Sequence, residues 1–459
     1  MTKPILEPEF KPAIIELRNY FKEVNKYQNK EHLIVSIERA NGFIYRKEFD
    51  ILPKGVDDNR NIFIVERLIK CLLWVVGGFK IYIAGPHYVY EKIKEYYSPN
   101  GLRDFDYHFM STVFEKEMEV VECDYDNIPK EKSSSIPIGG HLNGRRIGFD
   151  VGGSDIKVSA VKDGEVIDSK EIVWLPKLNE DINYHYEYFY KAMKDAIEVL
   201  GGDVDAIGIS AAGVIVENKP MVSSIFIKVP KENFDLVKGA YINTVKRLEK
   251  ELGHPIPFEV ANDGDVTALA GAIDLKDNCV LGIAMGTSEA VGYVDENANL
   301  QGWFNELAFM PVDFNTEAMV DEWSHDFGVG CKYFSQDAVI KLAPRACIEL
   351  DPSLTLAEKL KVVQKLHEEG HEGANQIFES IGVYLAYTIA LYSEFYKIKH
   401  LILLGRVTSN KGGEVILNVA KKTLEKEFPE YKNIDIRTPS DFMRRLGQSI
   451  AAASLPKNK

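Results

Sequence analysis

IGFDVGGSDIKVSAV, Ile147 to Val161, is the stretch on which the fold of this chain turns. An apolar strand runs to Asp150, the chain bends at Gly152 and Gly153, and an alternating strand returns. Ile156, Val158 and Ala160 share one face of that strand, Lys157 and Ser159 the other. A glycine bend lets an anion reach backbone N–H groups with no Cβ in the way. A phosphate held by Gly152, Gly153 and Ser154 would lie beside Asp150. A carboxylate is tolerated there only with a cation such as Mg²⁺ between them. The same residues also satisfy an ordinary Gly-Gly hairpin. What separates the two is whether the chain supplies partners for a phosphate elsewhere.

Downstream, the patterning predicts strands at 146–151, 156–162 and 165–173, a helix at 184–200, a strand at 205–210, a helix at 231–252 and a strand at 257–261. The order then restarts with a helix at 263–273 and strands at 279–285, 289–295 and 299–303. Long helices fill 313–397, followed by a strand at 401–404, a helix at 411–427, a strand at 435–438 and a last helix at 440–454. Strand triplet, helix, strand, helix, twice over, predicts two similar α/β lobes with a cleft between them. Upstream, Pro129, Ser133 to Ser135, Pro137 and Gly139–Gly140 end all periodicity over 127–144, which reads as a linker. Before it, a helix is expected at 11–29, strands at 32–38 and 42–51, a helix at 61–77, a strand at 80–84 and a helix at 87–97. That order matches the start of the next segment, so residues 1–140 read either as a degenerate copy of the lobe or as an unrelated α/β accessory domain.

A chain of 459 residues exceeds one ordinary core. Its 45% hydrophobic and 27% charged residues are those of a globular protein. The net charge of −14 argues against nucleic acid, whose phosphates are met by basic surface. The most apolar run, Cys71 to Phe79, is flanked by Lys70 and Lys80 and is too short to span a bilayer. The first residues carry Lys3, Glu7, Glu9 and Lys11 in place of an apolar leader core, so a cytoplasmic location is expected. Five cysteines without paired spacing suggest neither a disulfide framework nor a zinc cluster.

Four more segments bear on the first bend. In EVANDGDVTALAGA, Glu259 to Ala272, a short strand runs into Asn262-Asp263 and an Ala-rich helix. Asp263 at that mouth could accept a proton from a substrate hydroxyl while Asn262 holds a neighbouring one, or it could simply cap the helix. LGIAMGTSEAVGYV, Leu281 to Val294, is a second strand–glycine–strand hairpin, with Gly286 and Thr287 at its turn. LILLGRVTSNKGG, Leu401 to Gly413, ends a buried strand at Gly405, a backbone surface suited to a base or ribose. IGISAAGVIVE, Ile207 to Glu217, has small residues that admit a ligand or another backbone.

In this order and at these separations the segments resemble the actin/sugar-kinase/heat-shock ATPase fold, and more narrowly the ROK family of bacterial sugar kinases and regulators. Asp150-Val-Gly-Gly-Ser-Asp stands where the family has an Asp-x-Gly-Gly-Thr-Lys-like phosphate signature. Asn262-Asp263 with Ala268-Leu269-Ala270 matches the catalytic segment, Met285-Gly286-Thr287 the second phosphate turn, and Leu404-Gly405 the adenosine motif. The resemblance covers roughly 145–455. It implies an α/β, two-lobed ribonuclease H-like fold with an additional N-terminal α/β domain: 1–140 accessory, 141–261 lobe I, and 262–459 lobe II with its last helix returning to lobe I. It further implies an ATP- and Mg²⁺-dependent kinase acting on a sugar or sugar-derivative hydroxyl, with Asp263 as general base. Gly152, Gly153, Ser154, Lys157, Gly286, Thr287 and Gly405 would serve the nucleotide and its phosphates. Asn262, Glu306, Ser224 and Lys228 would serve the sugar, and Asp150 the Mg²⁺. The partner is then a small sugar, with no nucleic acid or membrane, and a homodimer is one assembly open to the chain.

Departures from the family pattern point to a second class, a non-catalytic sugar or nucleotide sensor. The Gly-Glu-x-Gly-His sugar segment reads Asn305-Glu306-Leu307-Ala308-Phe309, with Phe309 at the histidine, and no Cys-x-Cys cluster follows. Structural zinc is not expected, and Cys331 and Cys347 read as core residues. The second turn reads Gly-Thr-Ser-Glu, which sets Glu289 close to the phosphates. His367-Glu368-Glu369-Gly370-His371 fits the pattern of zinc proteases, but Gly370 predicts a break between helices. Asp321-Glu322 with His325-Asp326 reads as a charged helix surface.

Overall fold

A computed structural model describes residues 1–133, 139–440, 443 and 447–457. Its contacts divide the chain into two units. One comprises 1–134, 283–291 and 302–437, the other 135–282, 292–301 and 438–459.

The first segment contains α1 (Ala13–Val24), β1 (Glu31–Glu38), β2 (Ile44–Ile51), α2 (Asp58–Val76), β3 (Lys80–Ala84), α3 (His87–Tyr96), α4 (Asp104–Phe114) and β4 (Glu119–Glu122). Its strands are ordered β2-β1-β3-β4. β1 runs antiparallel to β2 and β3, and β3 parallel to β4. Asp57 starts α2 by accepting the Arg60 N–H at 3.0 Å, and Gly77 ends it at φ 72°, where a side chain would be strained. α1 is shorter than the expected 11–29 because it starts after Pro12 and closes at Asn25. α4 and β4 were not anticipated: α4 is rich in aromatics all round, and β4 is too short to show an alternation.

Between α2, α4 and the 313–330 region of the same unit lies a buried ion cluster. Asp326 meets Arg67 and Lys70 at 3.0 Å and Arg103 at 2.9 Å. Glu66 meets Arg67 at 2.7 Å and Arg103 at 2.6 Å, and Lys70 reaches Asp106 at 3.2 Å. All six side chains are at most 3% exposed, so every charge depends on its neighbours for solvation.

The second unit opens with β5 (Arg145–Val151), β6 (Asp155–Lys162) and β7 (Glu165–Val173). There follow α5 (Ile182–Val199), β8 (Ala206–Ala211), β9 (Val214–Val216), β10 (Lys219–Val222), α6 (Phe234–Lys238), α7 (Ala240–Leu252), β11 (Phe258–Asn262) and α8 (Asp263–Leu275). The sheet is ordered β11-β8-β5-β6-β7. β5, β6 and β7 form an antiparallel meander, and β5, β8 and β11 run parallel. The parallel pairing of β5 with β8 has no counterpart in the first sheet, where β1 and β3 run antiparallel. The two sheets therefore differ in topology. The expected helix at 231–252 is divided between α6 and α7 at Gly239.

The chain continues through β12 (Val280–Met285), β13 (Glu289–Val294), α9 (Gln336–Leu342), α10 (Leu356–Glu368), α11 (Glu372–Tyr392), β14 (His400–Leu404), α12 (Asn410–Glu427), β15 (Asp435–Arg437) and α13 (Gln448–Ala453). Their strands make a sheet ordered β13-β12-β14-β15. Long helices do not fill 313–397. Up to Ser335 the chain is built of turns in which carboxylates, not a helical ladder, take up backbone N–H groups. Asp313 accepts from Asn315 at 2.8 Å and Lys11 at 2.9 Å, and Asp321 from Ser324 at 2.7 Å. The 321–326 stretch is accordingly a turn with Asp321 and Asp326 buried, not a helix surface. The strand expected at 299–303 reduces to a single bridge between Val294 and Leu300. Of the linker at 127–144, residues 134–138 lie outside the described residues, as do 441, 442 and 444–446 of the last expected helix.

α13 rests directly on β5 and β8, which explains two strand glycines. A Cβ on Gly148 would strike the Ser449 carbonyl oxygen, and one on Gly208 that of Ala452. Arg146, fully buried, donates to the Ala453 carbonyl at 2.6 Å and ties the helix down. Among the described residues no helix is long and apolar enough to cross a membrane.

Candidate active site

The second unit carries Asp150, the glycine bend, Asn262, Asp263, Ser224 and Lys228. Parallel pairing sets Asp150 opposite Ser210 of β8, and antiparallel pairing sets it opposite Lys157 of β6. Burial raises the Asp150 pKa, while the Ser210 hydroxyl and the Lys157 charge pull it down. At the bend, the Gly152 N–H donates to the Asp155 carbonyl at 2.9 Å. Among the described residues the N–H groups of Gly153 and Ser154 meet no acceptor, and both residues are exposed. Lys157 lies 3.5 Å from Asp155, whose carboxylate also accepts from the Ser154 hydroxyl at 3.0 Å.

Asn262 and Asp263 stand where β11 becomes α8. Asn262, not Asp263, is the cap: its side-chain oxygen accepts the Gly264 N–H at 2.7 Å, and its amide donates to the Gly213 carbonyl at 2.7 Å. One amide hydrogen is left for a ligand. Freed from capping, Asp263 occupies the first helical position, and its carboxyl accepts only a longer bond from the Gly264 N–H at 3.0 Å. Its pKa is pushed up to about 6, first by burial and then by the charge of Asp150, against the pull of the backbone N–H groups. The residue keeps a partly exposed edge. Two carboxylates that feel each other at one sheet edge call for a proton or a cation between them.

Ser224 and Lys228 are exposed on the turn after β10. Ser223 is spent on the Ala212 carbonyl at 2.7 Å, and a Cβ on Gly213 would strike the Val222 carbonyl, so this turn, Gly213 and Asn262 form one packed chain of contacts.

In the first unit, Gly286 and Thr287 form the second bend, with Thr287 exposed. The Gly286 N–H donates to Ser288 at 3.0 Å, and its carbonyl accepts from the Gln336 N–H at 2.9 Å. Gly405 adopts φ 99°, and a Cβ there would run into the Met285 backbone, so this glycine serves both conformation and approach. The bend and Gly405 are thereby brought together through Met285. Glu289 is not beside the bend's open face. It is 3% exposed, accepts the Tyr392 hydroxyl at 2.9 Å, and its pKa is pushed up to about 8 by burial. Its place at the first position of β13, within hydrogen-bond reach of Tyr392, decides this.

Glu306 is half-buried, and its N–H donates to the Trp74 carbonyl at 3.1 Å. Phe309 lies with its ring 4.6 Å from that of Trp74 and 5.2 Å from that of Phe105. Cys331 is buried, but Cys347 is exposed at φ 57°, just beyond a 3₁₀ turn, and is no core residue. α10 ends at Glu368, Gly370 turns at φ 86°, and His371 caps α11. The two histidines thus lie on separate helices. Among the described residues no group of three or more His, Cys, Asp or Glu is arranged to hold a metal.

The sequence singled out Ile207 to Glu217 for its small residues but gave Ser210 and Gly213 no individual role, and it missed the 174–178 segment, which carries no motif; only the register of β8 and β5 brings Ser210 opposite Asp150.

No family model and no curated protein matches the chain. Solved structures do. A ROK hexokinase from Thermus thermophilus is 15% identical with a TM-score of 0.53, over 68% of this chain and 97% of that one. A ROK family transcriptional regulator, a homologue of the E. coli MLC protein, is 14% identical with a TM-score of 0.50, over 68% of this chain and 79% of that one. The chain has the fold shared by ROK sugar kinases and ROK regulators, a mixed α/β architecture of the actin-like sugar-kinase type.

Proposed function

We propose that the protein transfers a phosphoryl group from ATP to a hydroxyl of a sugar or sugar derivative. The observation that carries this is the Asp263 carboxyl, enclosed at the start of α8, raised to about 6 and coupled to Asp150 across the same unit as the glycine bend. A carboxylate with that pKa is ionised at neutral pH and basic enough to take a hydroxyl proton. The acceptor oxygen forms its bond to the γ-phosphorus, the bond to the bridging oxygen breaks, the proton goes to Asp263, and ADP leaves. Gly152, Gly153, Ser154, Lys157, Gly286, Thr287 and Gly405 would serve the nucleotide and its phosphates. The spare amide hydrogen of Asn262, with Ser224 and Lys228 of the same unit, would orient the acceptor, and Glu306 is the further residue assigned to the sugar.

The donor set suits a nucleotide-borne Mg²⁺ and not an all-protein metal cage. Asp150 and Asp263 are neighbouring carboxylates, and among the described residues no group of three or more His, Cys, Asp or Glu is arranged to hold a metal. Asp150 would hold the ion through water or phosphate, and the ion would neutralise charge on the transferred group. In this reading residues 1–140 are an accessory addition to the sugar-kinase fold whose first 134 residues share a unit with 283–291 and 302–437, and the protein works in the cytoplasm.

One observation favours a second reading, a sensor that binds without turnover. Phe309, at the position of the family's sugar-contacting histidine, is committed to an aromatic cluster. ADP release measured against a panel of sugars, with Mg·ATP, tests the proposal. Turnover with one sugar, abolished in Asp263→Asn with nucleotide affinity kept, is expected. Sugar binding with no ADP release from any sugar would favour the sensor.

A further inference from the structure

We propose that Lys177 is the cation that neutralises the phosphate at the Gly152–Ser154 bend, an assignment that rests on the phosphoryl-transfer reading above. The segment after β7 crosses the bend as a strap. The Trp174 N–H donates to the Ser154 carbonyl at 3.2 Å, and the Trp174 indole Nε1 donates to the Gly152 carbonyl at 2.9 Å. Further along, the Leu175 N–H donates to the Tyr184 hydroxyl at 2.9 Å, and the Asn179 amide donates to the Leu175 carbonyl at 2.8 Å. Trp174 is itself buried, with its ring parallel to that of Tyr184 at 6.2 Å. The strap is anchored to the bend at Trp174 and to α5 at Leu175, and its own Asn179–Leu175 bond closes the turn that bears Lys177.

What it carries is a lysine. A Cβ built on Gly153 would lie 2.9 Å from Cε and 3.1 Å from Nζ of Lys177. The ammonium therefore occupies the space that the missing side chain of Gly153 leaves open, at the bend whose two N–H groups have no acceptor. Lys177 makes no ion pair or hydrogen bond among the described residues. Asp155 is engaged by Lys157 and Ser154. Asp150 stands in register opposite Ser210 and Lys157, and the Lys157 charge acts on its carboxyl.

An oligophosphate seated at this bend would meet Asp150 and Asp155, two anions, on the protein side. Lys157, the cation read from the motif, is already paired with Asp155. Where the family signature has a lysine, this chain has Asp155. Two backbone N–H groups alone do not offset that repulsion, and a free ammonium aimed at the same space does.

The test is binding of Mg·ATP and of inorganic tripolyphosphate by calorimetry, using the full chain as wild type, Lys177→Met, Lys177→Arg and Lys177→Glu. Lys170→Met, on β7 with the same charge change, is the control. Loss of one charge-assisted contact should raise Kd about tenfold or more for both ligands in Lys177→Met. The arginine variant should stay within about threefold, the glutamate variant should lose more, and the control should match wild type. Wild-type affinity in Lys177→Met, with the wild type binding both ligands, overturns the assignment and leaves the kinase reading standing. Failure of the wild type to bind either ligand overturns both. An equal loss in Lys170→Met would reduce the effect to net charge and overturn the assignment alone.

Discussion

Replacing Asp263 by Asn removes a charge and keeps the shape. The carboxyl is raised from 3.8 to about 6 by burial and by Asp150, so the folded protein holds this proton more tightly than the unfolded chain does. A raised carboxyl pKa costs stability increasingly as pH climbs from the lower value to the higher, and in full above it. The shift corresponds to about 3 kcal/mol at the top of that window. Asparagine carries no such cost, and its side-chain carbonyl can still accept the Gly264 N–H. Asp263→Asn should therefore be more stable than wild type by about 1–3 kcal/mol at pH 8, by about half as much at pH 5, and by roughly half a kcal/mol near pH 4. Urea titrations followed by fluorescence at each pH would read this, with Trp174 the tryptophan of the unit that holds Asp263. A variant less stable than wild type at pH 8 would refute the reasoning. So would a gain of equal size at pH 4 and pH 8, which would mean that the effect is not one of ionisation.

Three further outcomes follow from the packing. Gly148→Ala drives a methyl into the backbone of α13, where no flexible side chain can yield, and should cost about 3 kcal/mol or more in urea unfolding; a near-neutral result would mean that α13 is not seated on β5. Asp326→Asn leaves Arg67, Lys70 and Arg103 short of a countercharge in a dry core and should cost about 3–5 kcal/mol, whereas a loss under about 1 kcal/mol would show that water reaches the cluster. Glu289→Gln retains an acceptor for the Tyr392 hydroxyl and should gain stability progressively from pH 5 to pH 8, because the Glu289 pKa is pushed up to about 8. Its nucleotide affinity should not change, and a fall in affinity would return Glu289 to the phosphates.

The elements of the second unit were legible because their periodicities are pure. Ile147, Phe149 and Val151 alternate on a strand buried on both faces, and Ile156, Val158 and Ala160 do so on its hairpin partner. Bends at Gly152 and Gly286 announce themselves by composition. The 313–335 region did not, because its order comes from Asp313 and Asp321 acting as local acceptors, which mimics helix-surface acidity in the sequence. At the site, Asn262-Asp263 was visible as a pair, but the division of labour was not. Which of two adjacent polar residues caps a helix depends on backbone dihedrals, and here Asn262 has the extended geometry of a cap. Glu289 shows the converse: its position next to a turn suggested the phosphates, while the face it occupies on β13 sends it to Tyr392.

The departure at Phe309 and the presence of the first 133 residues have one physical explanation. α2 is buried along 14 of its 19 residues, so it cannot be a surface helix of a detachable domain. Part of what covers it is the 304–309 segment. The Asn305 N–H donates to Val75 at 3.0 Å, the Glu306 N–H donates to Trp74 at 3.1 Å, and the rings of Phe304 and Phe309 close on Trp74. A histidine at 309 would put a polar ring among Trp74, Phe105 and Phe109, with no acceptor offered by those side chains. Phenylalanine is what that neighbourhood selects. The residue therefore reports on how α2 and α4 are anchored, and taken alone it does not argue that acceptor binding was lost. Glu306, with its backbone fixed by the same contact, remains the side chain of this segment with the chemistry to meet a hydroxyl.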